Sequence, residues 1–235
     1  MINHPDVKII TIEDPIEYHL EGIMQTQINT EEGYTFASAL RSLMRQNPNV
    51  IMVGEIRDNE TAETAIEASM TGHLVLSTIH SNSAAGAINR FVGLGVKRQM
   101  LAGAIECSIG QRLVRKICPH CKKEYTPSES ELKEVKKELA KINPKSGVVI
   151  PEKLTFYKGE GCAKCSNIGY KGRIGIYEVL EMTPEVQKLI QEQNVTDYDI
   201  EQKAMEDGSL LMMQDGILKA LAGETTIEEI FRVAR

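Results

Sequence analysis

The 235-residue chain contains no tryptophan, and aromatic residues make up only 5% of it. Its core must therefore be mostly aliphatic, with ten methionines available to fill irregular gaps. No apolar run approaches the roughly 18 residues that would span a bilayer as a helix. The opening Met1-Ile2-Asn3-His4-Pro5-Asp6 has neither a basic region nor an apolar stretch, so it does not read as a secretory signal. A cytoplasmic protein is expected. Positive charge is also in short supply. The 27 Lys and Arg face 33 Asp and Glu, and the net charge of -6 argues against broad nucleic-acid binding. Five cysteines in a reducing compartment point to metal rather than disulfides wherever they cluster.

What is present reads as α/β. Three short β-branched or aliphatic runs, at 7–12, 50–53 and 74–79, are nearly continuous in apolarity. That pattern predicts strands buried on both faces of a parallel sheet, with helices on either side. Thr35 can cap a helix that carries Phe36, Leu40, Leu43 and Met44 on one face and stops before Pro48. Asp58 or Asn59 can cap a second, ending at Gly72. A third begins near Ser83, and a fourth is predicted over 98–114, with Cys107 as a small buried hydrophobe on it. Composition shifts at Cys118. From 116 to 172 the chain holds two cysteine pairs, a charged stretch at 131–141 that reads as helix, and a Pro/Gly/Lys-rich segment. After Arg173 the pattern becomes helical, with Thr183-Pro184, Thr196 and Thr226 as helix starts. Three segments follow: 1–115, 116–172 and 173–235.

The three strands all run into chemistry. The first leads to Glu13-Asp14-Pro15-Ile16-Glu17, the second to Gly54-Glu55-Ile56-Arg57-Asp58, and the third to Thr78 and His80. In open parallel sheets ligands bind beyond the carboxyl ends of the strands. One acidic strand end means little, because Asp and Glu also start turns and cap helices. Three together deliver carboxylates, a hydroxyl and an imidazole to one edge. Such carboxylates can hold Mg²⁺ or polarise a water, and phosphoryl transfer needs both, with positive charge to offset the phosphate oxygens. Arg41 and Arg45 lie four apart and share a helix face. Arg57 reads more simply as a partner of the neighbouring Asp58 and Glu60.

These segments resemble a known family. Thr11-Ile12-Glu13-Asp14-Pro15-Ile16-Glu17-Tyr18 is similar to the acidic Asp box of the type II/type IV secretion ATPase superfamily. The stretch from Arg45 through Val53-Gly54-Glu55-Ile56-Arg57-Asp58 resembles its signature with the Walker B strand, and Thr71-Gly72-His73 through His80 its His box. Asn49 stands where the family usually has Asp. The resemblance implies a RecA-like P-loop NTPase core over 1–115, followed by a tetracysteine zinc module and a helical subdomain. It implies that Glu55 activates water, that Glu17 assists metal binding or water activation, and that His80 contacts the γ-phosphate side. Glu13, Asp14, Arg41, Arg45 and His73 belong to its nucleotide and Mg²⁺ positions, although His73 reads equally as a buried structural histidine. ATP is the implied substrate. A homo-hexamer acting on an inner-membrane platform protein is the implied assembly, with no nucleic acid. The family's phosphate loop, G-x-x-x-x-G-K-[ST], occurs nowhere in these residues, so a partial chain with little ATPase activity of its own is expected.

Cys118-Pro119-His120-Cys121 and Cys162-Ala163-Lys164-Cys165 form two C-x-x-C knuckles separated by 40 residues. Four thiolates suit tetrahedral Zn²⁺. A redox role fits less well, because no thioredoxin-like strand precedes the first pair. The module also resembles that of assembly rather than retraction ATPases. Two other readings compete. A zinc ribbon binding nucleic acid or protein without catalysis is suggested by Arg115, Lys116, Lys122, Lys123, Lys171 and Arg173, and a salt-dependent shift with DNA or RNA would favour it. A conjugation-type ATPase of the same superfamily is disfavoured by the cysteines.

Overall fold

The computed structural model describes residues 2–234. In chain order the strands and α-helices are β1 (Ile9–Glu13), β2 (Met24–Gln27), α1 (Phe36–Met44), β3 (Val50–Val53), α2 (Asn59–Met70), β4 (Leu74–Ser77), α3 (Ala84–Gly93), α4 (Arg98–Ala104), β5 (Cys107–Ile117), β6 (Lys122–Tyr125), α5 (Glu129–Leu139), β7 (Phe156–Gly159), β8 (Tyr170–Glu181), α6 (Pro184–Gln191), α7 (Asp197–Glu206), α8 (Met212–Leu221) and α9 (Ile227–Val233). Backbone contacts divide the chain into two compact units. One comprises 1–82, 86–106 and 182–197; the other comprises 83–85, 107–181 and 198–235. Among the described residues no helix is long and apolar enough to cross a membrane.

The first unit is built on a parallel sheet of order β2-β1-β3-β4. Ile9, Ile10 and Ile12 of β1 and Val50, Ile51 and Val53 of β3 are buried, as their unbroken apolar sequences predict. The helix starts are those read from the sequence. The Thr35 hydroxyl accepts from the Ser38 amide, and the Asp58 carboxylate accepts from the Thr61 amide at 2.8 Å. Arg41 donates to Glu60 at 2.8 Å and ties α1 to α2. One strand departs from expectation. β4 was predicted to be buried on both faces, but it is the outermost strand of this sheet, and Leu74 and Leu76 are exposed.

The second unit rests on a long antiparallel pair, β5 with β8, which has an irregularity between Arg115 and Ile117. A second short pair, β6 with β7, lies alongside. Val114, Val135, Phe156, Ile176, Ile217, Ile227 and Ile230 form one buried cluster, so the cysteine-bearing stretch and the last two helices share an apolar core. Two helix predictions fail here. The helix expected over 98–114 ends at Ala104, and 107–117 is strand, paired along its length with β8. Cys107 is consequently exposed at a strand end rather than buried on a helix. The residues after Arg173 continue as β8 to Glu181 before the helices begin.

The starts of α6 and α9 follow the sequence signals. The Thr183 hydroxyl accepts from the Val186 amide with Pro184 in the first turn, and the Thr226 hydroxyl accepts from the Glu229 amide. Glu229 does not close the reciprocal half of a capping box. Its fully buried carboxylate instead accepts from Arg115 at 2.6 Å, the Arg115 amide at 3.0 Å and Arg232 at 2.8 Å. Burial alone would raise its pKa, but these donors outweigh burial and hold it down at about 2.

Candidate functional site

The parallel sheet places the ends of β1 and β3 side by side. The Gly54 amide donates to the Ile12 carbonyl at 2.8 Å. A Cβ on Gly54 would lie 3.1 Å from that same oxygen and 3.6 Å from the Glu13 Cα. A side chain here would press on the backbone of β1. Just beyond it, Glu55 is largely buried, with 16% of its side chain exposed. Arg57 donates to its carboxylate, and the His80 Nε2 lies 3.5 Å away. His80 itself is 83% exposed. The loop that carries it is pinned to the β3 end: the Ile56 amide donates to the Thr78 carbonyl at 2.9 Å, and the Thr78 hydroxyl donates to the Gly54 carbonyl at 2.7 Å. Arg57 therefore pairs with Glu55, and not with Asp58 or Glu60 as its simplest sequence reading had it. Asp58 caps α2, and Glu60 holds Arg41.

Glu13 ends β1 half-buried, accepting from the Thr11 hydroxyl and from the Gln25 amide nitrogen at 2.9 Å. Asp14 and Glu17 follow on an exposed turn with a cis Asp14–Pro15 peptide. The sequence reading overlooked Thr11 and Gln25. Thr11 was detectable, since residues two apart on a strand share a face. Gln25 sits on β2, whose MQTQ sequence carries no strand signal, so nothing local pointed to it.

The structure does not bring every candidate to this edge. His73 precedes β4, at the amino end of the strand, whereas His80 follows its carboxyl end. The His73 Nδ1 donates to the Ala68 carbonyl at 2.9 Å and lies 3.2 Å from the Thr71 hydroxyl, closing the C-terminal end of α2. Arg41 and Arg45 lie at the end of α1, which leads into the amino end of β3. Among the described residues no ion pair joins either of them to Glu13, Glu17 or Glu55.

The four knuckle cysteines meet in the second unit. Their sulfurs all lie within 4.8 Å of one another, with Cys118–Cys162 at 3.9 Å, Cys121–Cys165 at 3.9 Å and Cys162–Cys165 at 3.7 Å. A tetrahedral site with metal–sulfur bonds of about 2.3 Å has sulfur–sulfur edges of about 3.8 Å, which these three separations match, so four thiolates so grouped could hold Zn²⁺. Cys118 and Cys165 are buried, and the other two are half-buried. Burial and the neighbouring thiols push Cys121 up to about 12. Burial opposes charge at Cys165 too, but the Cys162 and Gly169 amides and the adjacent thiols bring it down to about 6. A bound metal would favour the thiolate form of its ligands. Among the described residues this is the one grouping of three or more Cys, His, Asp or Glu ligand atoms close enough to hold a metal.

The fold and the sheet edge describe an α/β protein with acidic strand ends and an attached cysteine module. The sequence model of the family described as "Type II/IV secretion system protein" matches residues 1–232, and the chain belongs to that family. The type II secretion system protein E of Pseudomonas aeruginosa is 44% identical over 234 residues. That match covers 100% of this chain and 44% of the relative. The type IV pilus assembly ATPase PilB of the same organism is 45% identical over 236 residues, covering 100% of this chain and 40% of the relative. The chain therefore spans less than half the length of these relatives. Among solved structures, the pilus retraction motor PilT with bound ADP superposes with a TM-score of 0.64 at 28% identity, over 98% of this chain and 54% of that one. The Legionella pneumophila ATPase DotB, at 21% identity and a TM-score of 0.65 over 98% of this chain and 53% of that one, shares the fold.

Proposed function

We propose that these residues supply the water-activating side of the nucleotide site in a hexameric motor ATPase, one that drives pilin or pseudopilin assembly through an inner-membrane platform protein. The observation that carries this reading is Glu55. Its carboxylate lies at the carboxyl end of a buried strand of a parallel sheet, shielded from solvent and flanked by Arg57 and His80. A carboxylate so held can orient a water toward a γ-phosphate. His80, exposed and 3.5 Å from it, is placed to contact that phosphate and report its loss. Glu13, Asp14 and Glu17 line the adjacent strand end as the Mg²⁺ side of the site. Mg²⁺ keeps most of its waters and needs only one or two carboxylates besides the phosphates, so a looser acidic edge suits it. Bound Mg²⁺ would neutralise charge on the phosphate oxygens. Arg41, Arg45 and His73 support the helices behind the sheet.

The phosphate cradle lies outside these 235 residues in this reading. The exposed apolar strand β4, with Leu74 and Leu76 uncovered, favours it, since further sheet could cover them. The cysteine quartet is a structural Zn²⁺ site, and the relatives of 44% and 45% identity, named for secretion and pilus assembly, favour an assembly role over retraction. A chimera joining the P-loop-bearing portion of such a relative to this chain tests the proposal. Mg-ATP hydrolysis by a six-membered ring is expected. A folded chimera that binds ATP yet neither hydrolyses it nor oligomerises would contradict it.

A further inference from the structure

β1 and β2 are parallel neighbours, so the chain between them must travel back along the sheet before β2 can begin. Such a return is usually made by a helix, which satisfies its own backbone. Here residues 14–23 form neither helix nor strand. Among the described residues the segment has one internal backbone hydrogen bond, from the Ile23 amide to the Leu20 carbonyl at 3.4 Å. This is the segment that carries Asp14 and Glu17, so something outside it must hold it in place.

Gln25 does so. It stands beside Thr11 in the register of β1 and β2. Its Nε2 donates to the Glu13 carboxylate at 2.9 Å and to the Tyr18 carbonyl at 2.9 Å, and its Oε1 accepts from the Leu20 amide at 2.7 Å. Two oxygens and one N–H around the side chain admit a single orientation of its amide. Gln27, two residues on, adds a longer bond by accepting from the Ile16 amide at 3.4 Å. One side chain thus ties the end of β1 to the backbone on both sides of His19, immediately after Glu17. The same bonds orient Glu13. Thr11 and Gln25 both donate to its Oε1, and its Oε2 accepts no hydrogen bond among the described residues. Glu17 is exposed and enters no hydrogen bond or ion pair among them either.

We propose that Gln25 is a positioning residue of the nucleotide site. It holds the Glu17 loop against the end of β1 and occupies one oxygen of Glu13, so that the acidic edge is set before metal and nucleotide arrive. Hydrogen-bond donors standing behind metal-binding carboxylates orient them in this way. The proposal rests on the reading of Glu13 and Glu17 as the Mg²⁺ side of the site. A role in folding alone accounts for less. Gln25 is half-buried on the outermost strand β2, whereas the buried residues of this sheet lie on β1 and β3.

Gln25→Met tests it, because methionine keeps the length of the side chain and removes all three bonds. In the 235-residue chain, exchange of the Leu20 amide should quicken by about fivefold to tenfold while the amides of β1 and β3 keep their rates. In a protein that carries both this chain and a P-loop, the Mg²⁺ concentration giving half-maximal ATP turnover should rise about 10–100-fold. A variant that was only less well folded would lose turnover in proportion to the folded fraction and leave that concentration unchanged. Glu17→Gln is measured alongside. Unchanged exchange at Leu20 would overturn the proposal whatever the ATPase does. So would a loosened loop with the wild-type Mg²⁺ requirement, if Glu17→Gln impairs turnover. Wild-type turnover in both variants would overturn the reading of Glu17 itself, and the proposal with it.

Discussion

Glu229 offers a quantitative test of how the second unit is held together. Its carboxylate is completely buried, and its partners Arg115 and Arg232 are about half exposed. Glu229 is held at a pKa of about 2 in the folded protein, against an ordinary value of 4.5. A folded-state pKa below the unfolded one means that the charged group contributes stability above the unfolded value, and that this contribution is lost as pH falls through 4.5 toward 2. The full difference corresponds to about 3 kcal/mol. Solvent screening at the half-exposed arginines reduces this to about 2 kcal/mol at neutral pH. Glu229→Gln should therefore lower the stability of this unit by about 2 kcal/mol at pH 7, and the gap between wild type and variant should close as pH approaches 2. Urea unfolding read by tyrosine fluorescence suits the measurement. There is no tryptophan to mask the signal, and Tyr125, Tyr157, Tyr170, Tyr177 and Tyr198 all lie in this unit. A variant as stable as wild type at pH 7, or a gap that stays constant down to pH 2, would refute the reasoning.

Three further outcomes are expected. The purified chain should carry one Zn²⁺ per molecule by elemental analysis; Cys162→Ser should abolish it and increase amide exchange in α8 and α9 as well as at the knuckles, because Val135 and Phe156, which lie between the knuckles in sequence, share one core with both helices. Gly54→Val should cost about 1–3 kcal/mol of stability in the first unit, by forcing a branched Cβ onto the Ile12 carbonyl; thermal unfolding checks it, and an unchanged midpoint would contradict the close approach. The 235 residues alone should show negligible Mg-ATP turnover in a phosphate-release assay, and robust turnover would contradict the need for a separate phosphate cradle.

The parts of the fold legible in the sequence were those with a strong local cause. β1 and β3 were visible because every residue that matters is apolar and β-branched or aliphatic. The starts of α1, α2, α6 and α9 were visible because a hydroxyl or carboxylate stands at the cap. The four cysteines announced their meeting by spacing alone. The failures share a different cause. β5 was misread because Leu113 and Val114 fit a helical period as well as a strand, and only its partner β8, 53 to 74 positions on, decides between them. β4 looked like a buried strand because apolarity shows that a surface is to be covered, not what covers it. Thr226 was read as a local helix start, but the charge of Glu229 in that first turn is satisfied by Arg115, which is 114 positions away. The sheet edge itself was legible as chemistry. Its geometry was not: the pairing of Glu55 with Arg57 and His80, and the placement of His73 at the far end of β4, depend on strand order.

The central claim is that Glu55 activates the attacking water. Its most direct test is Glu55→Gln in a protein that carries both this chain and a P-loop, measured by steady-state ATP hydrolysis and by nucleotide affinity. A general base acts in the transition state, so loss of the carboxylate should lower kcat with little change in ATP binding. General-base assistance contributes about 10²–10⁴-fold, which predicts turnover at least about a hundredfold slower with affinity preserved. Near-normal turnover in Glu55→Gln, alongside abolished turnover in Glu17→Gln, would contradict the account and move the water-activating role to Glu17.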